Sequence, residues 1–400
     1  MKKTLIAASL TLLAFNASFA VADVKVGALM GITGPLANFI PPILNAARLA
    51  ESQINAAGGI LGGQPFKLVV ADSQASAQPS VDAANKLVNI ENVAVIVGAL
   101  SSGATVAAAN AVTIPNKVVM ISPSATAPSM TDTIDNDYLY RLVPSDNYQG
   151  KVLAKAVLEE GLKAVAVTYV SNDYGEGIAE TFKAEYQRLG GKITGYTKHE
   201  DKKNSYRGEL ATLASKGGDA LVVIAYAAGS GAKIVKQSLE NGFFERFVGT
   251  DGLRDDILIA QVGGDALKTS FFTSPTSPAN NPLKDRLHND ITAAFGEGAG
   301  KPFSDQAYDA TMLAALAIEK AGSTDRAAIK DALRKVANAP GEMVGPGEWA
   351  KAIALIKAGK EINYQGASGE HEFDANGDVK GFIGKYIVEN NAYKQLSIYK

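Results

Sequence analysis

Two hydroxyl-rich loops and one isolated acid are the residues best placed to do chemistry. Gly98-Ala99-Leu100-Ser101-Ser102-Gly103-Ala104-Thr105 follows an apolar run and leads into a helical one. Ile121-Ser122-Pro123-Ser124-Ala125-Thr126-Ala127-Pro128 follows the next apolar run. Hydroxyls and free backbone N–H groups at the start of a helix suit a carboxylate or phosphate, because unpaired donors and the helix dipole favour negative charge. Helix capping by a single serine is the competing reading. Two such loops on one sheet edge point to a common ligand. Later in the chain, Ser171-Asn172-Asp173-Tyr174-Gly175-Glu176-Gly177 supplies an acid and an aromatic ring with a polar tip, and Asp251-Gly252 supplies an acid able to pair with a cation. Asp173 also reads as a helix cap, and Asp251 as an Asx turn before glycine. One half thus offers anion donors and the other an acid. A zwitterion between them has both ends satisfied, each charge-assisted hydrogen bond contributing ~1.5–3 kcal/mol.

Enzyme signatures are poor. The three histidines, His199, His288 and His371, are scattered without metal-ligand spacing and are expected at the surface. There is no cysteine, which rules out thiolate metal sites and disulfides. Neither a G-x-S-x-G elbow nor a complete phosphate-binding G-x-x-x-x-G-K-[ST] loop occurs; Gly298-Ala299-Gly300-Lys301 lacks the first glycine and runs into Pro302. No catalytic residue, cofactor or metal is expected. A secreted α/β enzyme is the rival from a different class, and it requires a nucleophile–base–acid set.

The elements that must position these loops alternate. Strands are expected at 24–29, 66–71, 93–97 and 118–121, with helices at 41–56, 81–90 and 104–112 between them. The pattern then repeats, with helices at 151–160, 178–188, 206–214 and 231–241 around strands at 164–169, 192–196, 220–226 and 247–250. Near-continuous apolar strands alternating with helices mean βαβ units and buried parallel sheets, whose ligands lie beyond the strands' carboxyl ends. A break near Leu142-Val143-Pro144-Ser145-Asp146 divides two sheets, and Phe271-Phe272-Thr273-Ser274-Pro275-Thr276-Ser277-Pro278 reads as a second connection between lobes. Helices follow at 282–295, 303–321 and 326–336, and the chain returns to strands at 382–388 and 395–398. The fold class expected is α/β, two Rossmann-like lobes joined by a multi-strand hinge. Residues 23–144 and 274–372 form lobe 1, and residues 145–273 and 373–400 form lobe 2.

Lys2 and Lys3, the apolar run Leu5 to Phe15, and the small residues of Ser18-Phe19-Ala20 and Ala20-Val21-Ala22 have the order of a secretory signal, with cleavage expected after Ala20 or Ala22. The apolar run is too short to span a bilayer, and no other stretch approaches ~18 uninterrupted apolar residues, so no membrane insertion is expected. With no cysteine, a lipid anchor at the mature N-terminus is not expected either. Of the 400 residues, 46% are hydrophobic and 20% charged, ordinary for a globular protein of two domains. The formal net charge of −2 and the lack of a basic stripe argue against nucleic acid.

Motifs in order along the chain carry a resemblance. They are Val26-Gly27-Ala28, Thr33-Gly34-Pro35, Ile54-Asn55-Ala56-Ala57-Gly58-Gly59-Ile60, Ile121-Ser122-Pro123 with Ala125-Thr126, Tyr174-Gly175, Gly249-Thr250-Asp251-Gly252, and Phe373-Asp374 with Gly377-Asp378. With these the chain resembles the type I periplasmic binding proteins of branched-chain amino acid ABC transporters, the leucine/isoleucine/valine-binding group. The resemblance covers nearly all of the mature chain. It implies that Ser102 holds the ligand carboxylate, that Thr126 and the backbone of Ala125 bond the ligand, and that Asp251 stands where a glutamate pairs with the α-ammonium. It further implies that Tyr174 closes on the ligand from the second lobe, that Phe39 covers the side-chain pocket, and that Leu100 and Ser101 line the same side; Ser124 belongs to the same loop as Thr126. The family's other second-lobe tyrosine has no clear counterpart, since Tyr226 lies too early and Ala227-Ala228-Gly229 takes its place. The function implied is capture of an amino-acid-like solute in the periplasm and delivery by hinge closure to permease subunits, by a monomer. A ligand sensor, or an importer component for short amides, urea or small aromatic acids, is the alternative.

Overall fold

Runs of β-branched and apolar residues build the strands of two sheets. The computed structural model describes residues 22–400, so the expected signal segment lies, apart from Ala22, outside the described residues. In the first sheet β1 (Val24–Met30), β2 (Phe66–Asp72), β3 (Val95–Gly98), β4 (Val119–Ser122) and β5 (Leu139–Arg141) run parallel in the order β2-β1-β3-β4-β5. The central β3 and β4 are buried along their whole length. That is why their sequences show no alternation: a parallel sheet is covered by helices on both faces.

The second sheet starts with β6 (Ala164–Val170), β7 (Lys192–His199), β8 (Ala220–Ile224), β9 (Phe247–Gly249) and β10 (Phe271–Thr276). Two short strands, β11 (Glu342–Val344) and β12 (Ile362–Tyr364), pair by themselves. The antiparallel pair β13 (Phe382–Glu389) and β14 (Ala392–Tyr399) completes the second sheet in the order β14-β13-β10-β9-β8-β6-β7. The stretch expected as a plain connection at 271–278 is therefore a strand over most of its length. Pro275 argues against a central strand because it cannot donate to a ladder. It is accommodated because β10 pairs with β9 only through Phe271 and Phe272, before the proline is reached.

The chain leaves the first sheet after Arg141, returns to it after Thr276 and crosses again before Phe382. Between the last two crossings the helices Ser304–Ala321 and Arg326–Ala337 pack on β3 and β4. The helix Ile40–Ala56 buries Ile43, Ala46, Ala47, Ala50 and Ile54 against Ser304–Ala321. Its prolines lie in the first turn, where their missing N–H groups cost nothing. One crossing is pinned by charge. Arg141, fully buried, binds Asp378 through Nε (2.7 Å) and Nη2 (2.7 Å) and donates to the carbonyls of Thr126 and Ala127. No helix among the described residues is long and apolar enough to cross a membrane.

Candidate ligand-binding site

The loop after β3 is set by Gly98, whose φ of +126° is open to glycine; a Cβ there would stand 2.1 Å from the Leu29 carbonyl oxygen. The chain then turns into the helix Ser102–Ala108. Serine hydroxyls stitch this loop to the one after β4: Ser122 Oγ donates to the Ala99 carbonyl (2.6 Å) and Ser124 Oγ to that of Leu100 (2.9 Å). Ser102 Oγ accepts from the N–H groups of Thr126 (3.2 Å) and Ala127 (3.1 Å). With its lone pairs so occupied, the Ser102 hydroxyl hydrogen is left to donate outward. Thr126 Oγ1 and Ser101 Oγ are buried with no partner among the described residues. Ser102, Ser124, Thr126 and Leu100 line one wall of a narrow cavity between the lobes.

The facing wall comes from the second sheet. After β6, Asn172 caps the helix Asp173–Arg188 by accepting from the Gly175 N–H, so Asp173 is not needed as a cap and instead meets Ser129 across the cleft (3.4 Å). Tyr174, in the first turn, pairs with Thr250 Oγ1 (2.6 Å), accepts from the Gly252 N–H (3.1 Å) and donates to Asp251 Oδ1 (3.2 Å). Gln149 Nε2 donates to the same Oδ1 (2.7 Å), and no other side chain among the described residues donates to Oδ2 of Asp251. Asp251 forms a short helical turn at the end of β9. Burial pushes its carboxyl up to about 6, against the hydrogen bonds from Gln149 and Tyr174.

Tyr226 corrects the sequence reading. The strand expected to run to Tyr226 ends at Ile224, and the chain turns away only at Ala227. Tyr226 is the last extended residue, at the carboxyl edge of the sheet, and it lines the cavity with its ring stacked on Tyr174 (5.0 Å between centroids, 14° between planes). The other wall is apolar: Leu36, Phe39, Ile43, Leu100 and Phe303, with Phe39 and Phe303 in contact at 6.2 Å.

Of the residues singled out in sequence, Phe39, Leu100, Ser102, Ser124, Thr126, Tyr174 and Asp251 therefore meet around one cavity. Ser101 and Ala125 are buried beside it but do not line it, and the Ala125 N–H already donates to Ser122 Oγ (3.0 Å). Leu36, Ile43, Tyr226, Gly252 and Phe303 line it without having been anticipated. Phe303 precedes a helix in the left-handed conformation, φ +64°, and no local pattern marks such a residue as cavity-facing. Asp146, also unanticipated, is fully buried near Asp251, and burial followed by the charge of Asp251 raises its carboxyl well above the usual range.

The histidines depart from expectation. His199 and His371 are core residues, 3% and 1% exposed. His199 lies between Thr168 (2.8 Å) and Ser230 (3.0 Å), and burial lowers its pKa to about 4. Only His288, paired with Asp305 (2.8 Å), keeps appreciable exposure. No cluster of three or more His, Cys, Asp or Glu side chains suited to a metal occurs among the described residues.

A family model described as periplasmic binding protein matches residues 23–376. The Leu/Ile/Val-binding protein BraC3 of Rhizobium johnstonii is 32% identical over 382 residues, 94% of either chain. Among solved structures, the leucine-binding protein LivK of Thermotoga maritima superposes with a TM-score of 0.79 at 25% identity, covering 94% of this chain and 98% of that one. The substrate-binding protein LivJ of Streptococcus pneumoniae, in complex with isoleucine, gives 0.77 at 26% identity, covering 94% and 99%. With two α/β lobes around a lined cleft, and with these relatives along nearly its whole length, the chain belongs to the type I periplasmic binding proteins, in the leucine/isoleucine/valine-binding group.

Proposed function

We propose that this protein captures an L-amino acid with an apolar side chain, branched-chain amino acids first among them, between its lobes in the periplasm and delivers it to the permease of an ABC importer. It does so as a monomeric solute-binding protein, without catalysis. The observation that carries the ligand reading is the polarity of the cavity. The outward hydroxyls of Ser102 and Thr126 suit a carboxylate, and the Asp251 carboxylate, with no side-chain donor at Oδ2 among the described residues, suits an ammonium. The apolar wall of Leu36, Phe39, Ile43, Leu100 and Phe303 suits a hydrocarbon side chain and offers no partner to a polar one. The relative LivJ holds isoleucine, which supports the same assignment here.

The mechanism is hinge closure: ligand docks on the serine and threonine loops of the first lobe, and Tyr174, Tyr226 and Asp251 close over it from the second. Periplasmic binding proteins are themselves a standard example of such domain closure around a ligand. Thermal-shift screening against the L-amino acids tests the reading. A ligand at 100 times its Kd adds ~2.7 kcal/mol of stability. Leucine, isoleucine or valine is expected to raise Tm, and lysine and glutamate to leave it unchanged. A response confined to compounds without an ammonium group removes Asp251 from its role and overturns the assignment.

A further inference from the structure

The helix Asp173–Arg188 of the second lobe carries a glycine for which its own lobe gives no reason. Gly177 lies in the helix interior with an ordinary helical backbone that any L-residue adopts. Glycine there weakens the helix relative to alanine, because it loses more backbone freedom on folding. The reason lies across the cleft. A Cβ at Gly177 would stand 2.6 Å from Cδ of Pro128, and its next neighbours would be Cγ (3.4 Å) and N (3.7 Å) of the same proline. Beyond its own helical turn, nothing in the lobe of Gly177 comes as near.

Pro128 is fixed on the other side. It opens the helix Pro128–Thr131 of the first lobe, and its ring locks its φ. Ala127, just before it, is held at both ends: its N–H donates to Ser102 Oγ (3.1 Å) and its carbonyl accepts from the buried Arg141 (2.9 Å). Gly177 lies four residues after Asp173 and so on the same helix face. Asp173 meets Ser129, the neighbour of Pro128, at 3.4 Å. One face of the helix thus makes both contacts with the first lobe. Elsewhere along this seam the fit is looser: a Cβ at Gly103 would meet Asp173 Oδ1 at 3.6 Å, an ordinary contact. Gly177 does not line the ligand cavity.

We propose that Gly177 is a positioning residue for capture: its bare backbone is the seat on which Pro128 rests when the lobes close, and a side chain there holds the lobes apart. The inference rests on the functional reading above only in taking closure over a ligand; it is independent of which ligand that is. A methyl group at position 177 leaves the open form and the cavity lining untouched and disfavours the closed form alone. Affinity then falls with the population of the closed, binding-competent state.

The test is a double-mutant cycle, read by calorimetric titration of L-leucine into wild type, Gly177→Ala, Pro128→Ala and the double variant. Gly177→Ala should weaken binding about 10- to 100-fold, the range expected when a methyl group is forced into a rigid packed contact. In the Pro128→Ala background, where Cδ and Cγ are gone, Gly177→Ala should change Kd less than about 3-fold. An unchanged Kd in Gly177→Ala overturns the proposal. So does an equal loss in both backgrounds, which places the damage within the second lobe. If the wild-type protein binds another solute in place of leucine, the branched-chain assignment fails alone, and that solute becomes the titrant. A ligand-free measurement covers the remaining case. The chain has no cysteine, so Ser129→Cys combined with Asp173→Cys allows one disulfide only, across the seam. In ligand-free protein Gly177→Ala should slow that oxidation about 10-fold or more, because the closed population falls. A parent pair that stays reduced, or equal rates with and without Gly177→Ala, overturns the seating of Gly177 on Pro128.

Discussion

Burial holds the Asp251 carboxyl up to about 6, from an ordinary value of 3.8. A folded pKa above the unfolded one contributes stability that is present below the unfolded value and lost as pH rises through the folded one. For the ligand-free protein, Asp251 therefore stabilises most below about pH 4 and least above about pH 6. Binding has the opposite sign, because an ammonium must replace the proton. Leucine affinity is expected to rise from pH 5 to 7 and level off above, with proton release measurable in buffers of different ionisation enthalpy. A flat profile over that range contradicts an ionised Asp251 as anchor. At this scale the sequence was readable where a residue type is unusual for its place. Paired serines beyond a strand exceed what capping needs, and an acid at a strand's carboxyl end draws attention. Asp146 was hidden because an acid at a helix start is commonplace, and its burial beside Asp251 shows only in three dimensions. Phe303 was hidden because its part in the apolar wall depends on Phe39, far away in the chain.

Strands and helices were legible wherever hydrophobic period and turn residues agree. The helix Ile40–Ala56 announces itself by its spacing and by Gly58-Gly59 beyond its end, and β3 and β8 by unbroken apolar runs. The three-residue strand β5 and the short pair β11 and β12 are too brief to carry a period. The end of β8 was misplaced because Ala225 and Tyr226 continue its apolar character, although the pairing stops at Ile224. That two-residue error hid Tyr226 from the site. The crossing after Arg141 rests on the buried ion pair with Asp378, which no local pattern reveals. Removing one partner of a buried pair costs ~3–5 kcal/mol, because the other charge is left unpaired. Asp378→Asn is therefore expected to lower stability by that amount in chemical denaturation, and a loss below ~1 kcal/mol contradicts the role given to the pair.

At the scale of the whole molecule the lobes share a buried apolar cluster, in which Phe39, Ile43 and Leu100 join Tyr174 and Tyr226, and their polar contacts at the rim are weak. Ser129 reaches Asp173 at 3.4 Å, and Lys301 reaches Asp256 at 2.5 Å with both side chains about half or more exposed. An exposed ion pair contributes only ~0–1 kcal/mol. Such a latch adds little to that cluster, and a ligand favours the closed form by the contacts it makes on both walls. The division into two lobes was legible because the βαβ pattern runs twice with Pro144 between. Their mutual placement was not, because it depends on three separate crossings. The account turns on a zwitterion bridging the lobes, with Asp251 receiving its ammonium. Calorimetric titration of L-leucine into wild-type protein and Asp251→Asn tests this most directly. The account predicts saturable binding to the wild type and a loss of ~2–5 kcal/mol in the variant, as for a buried charge deprived of its partner. An unchanged Kd in Asp251→Asn would contradict it.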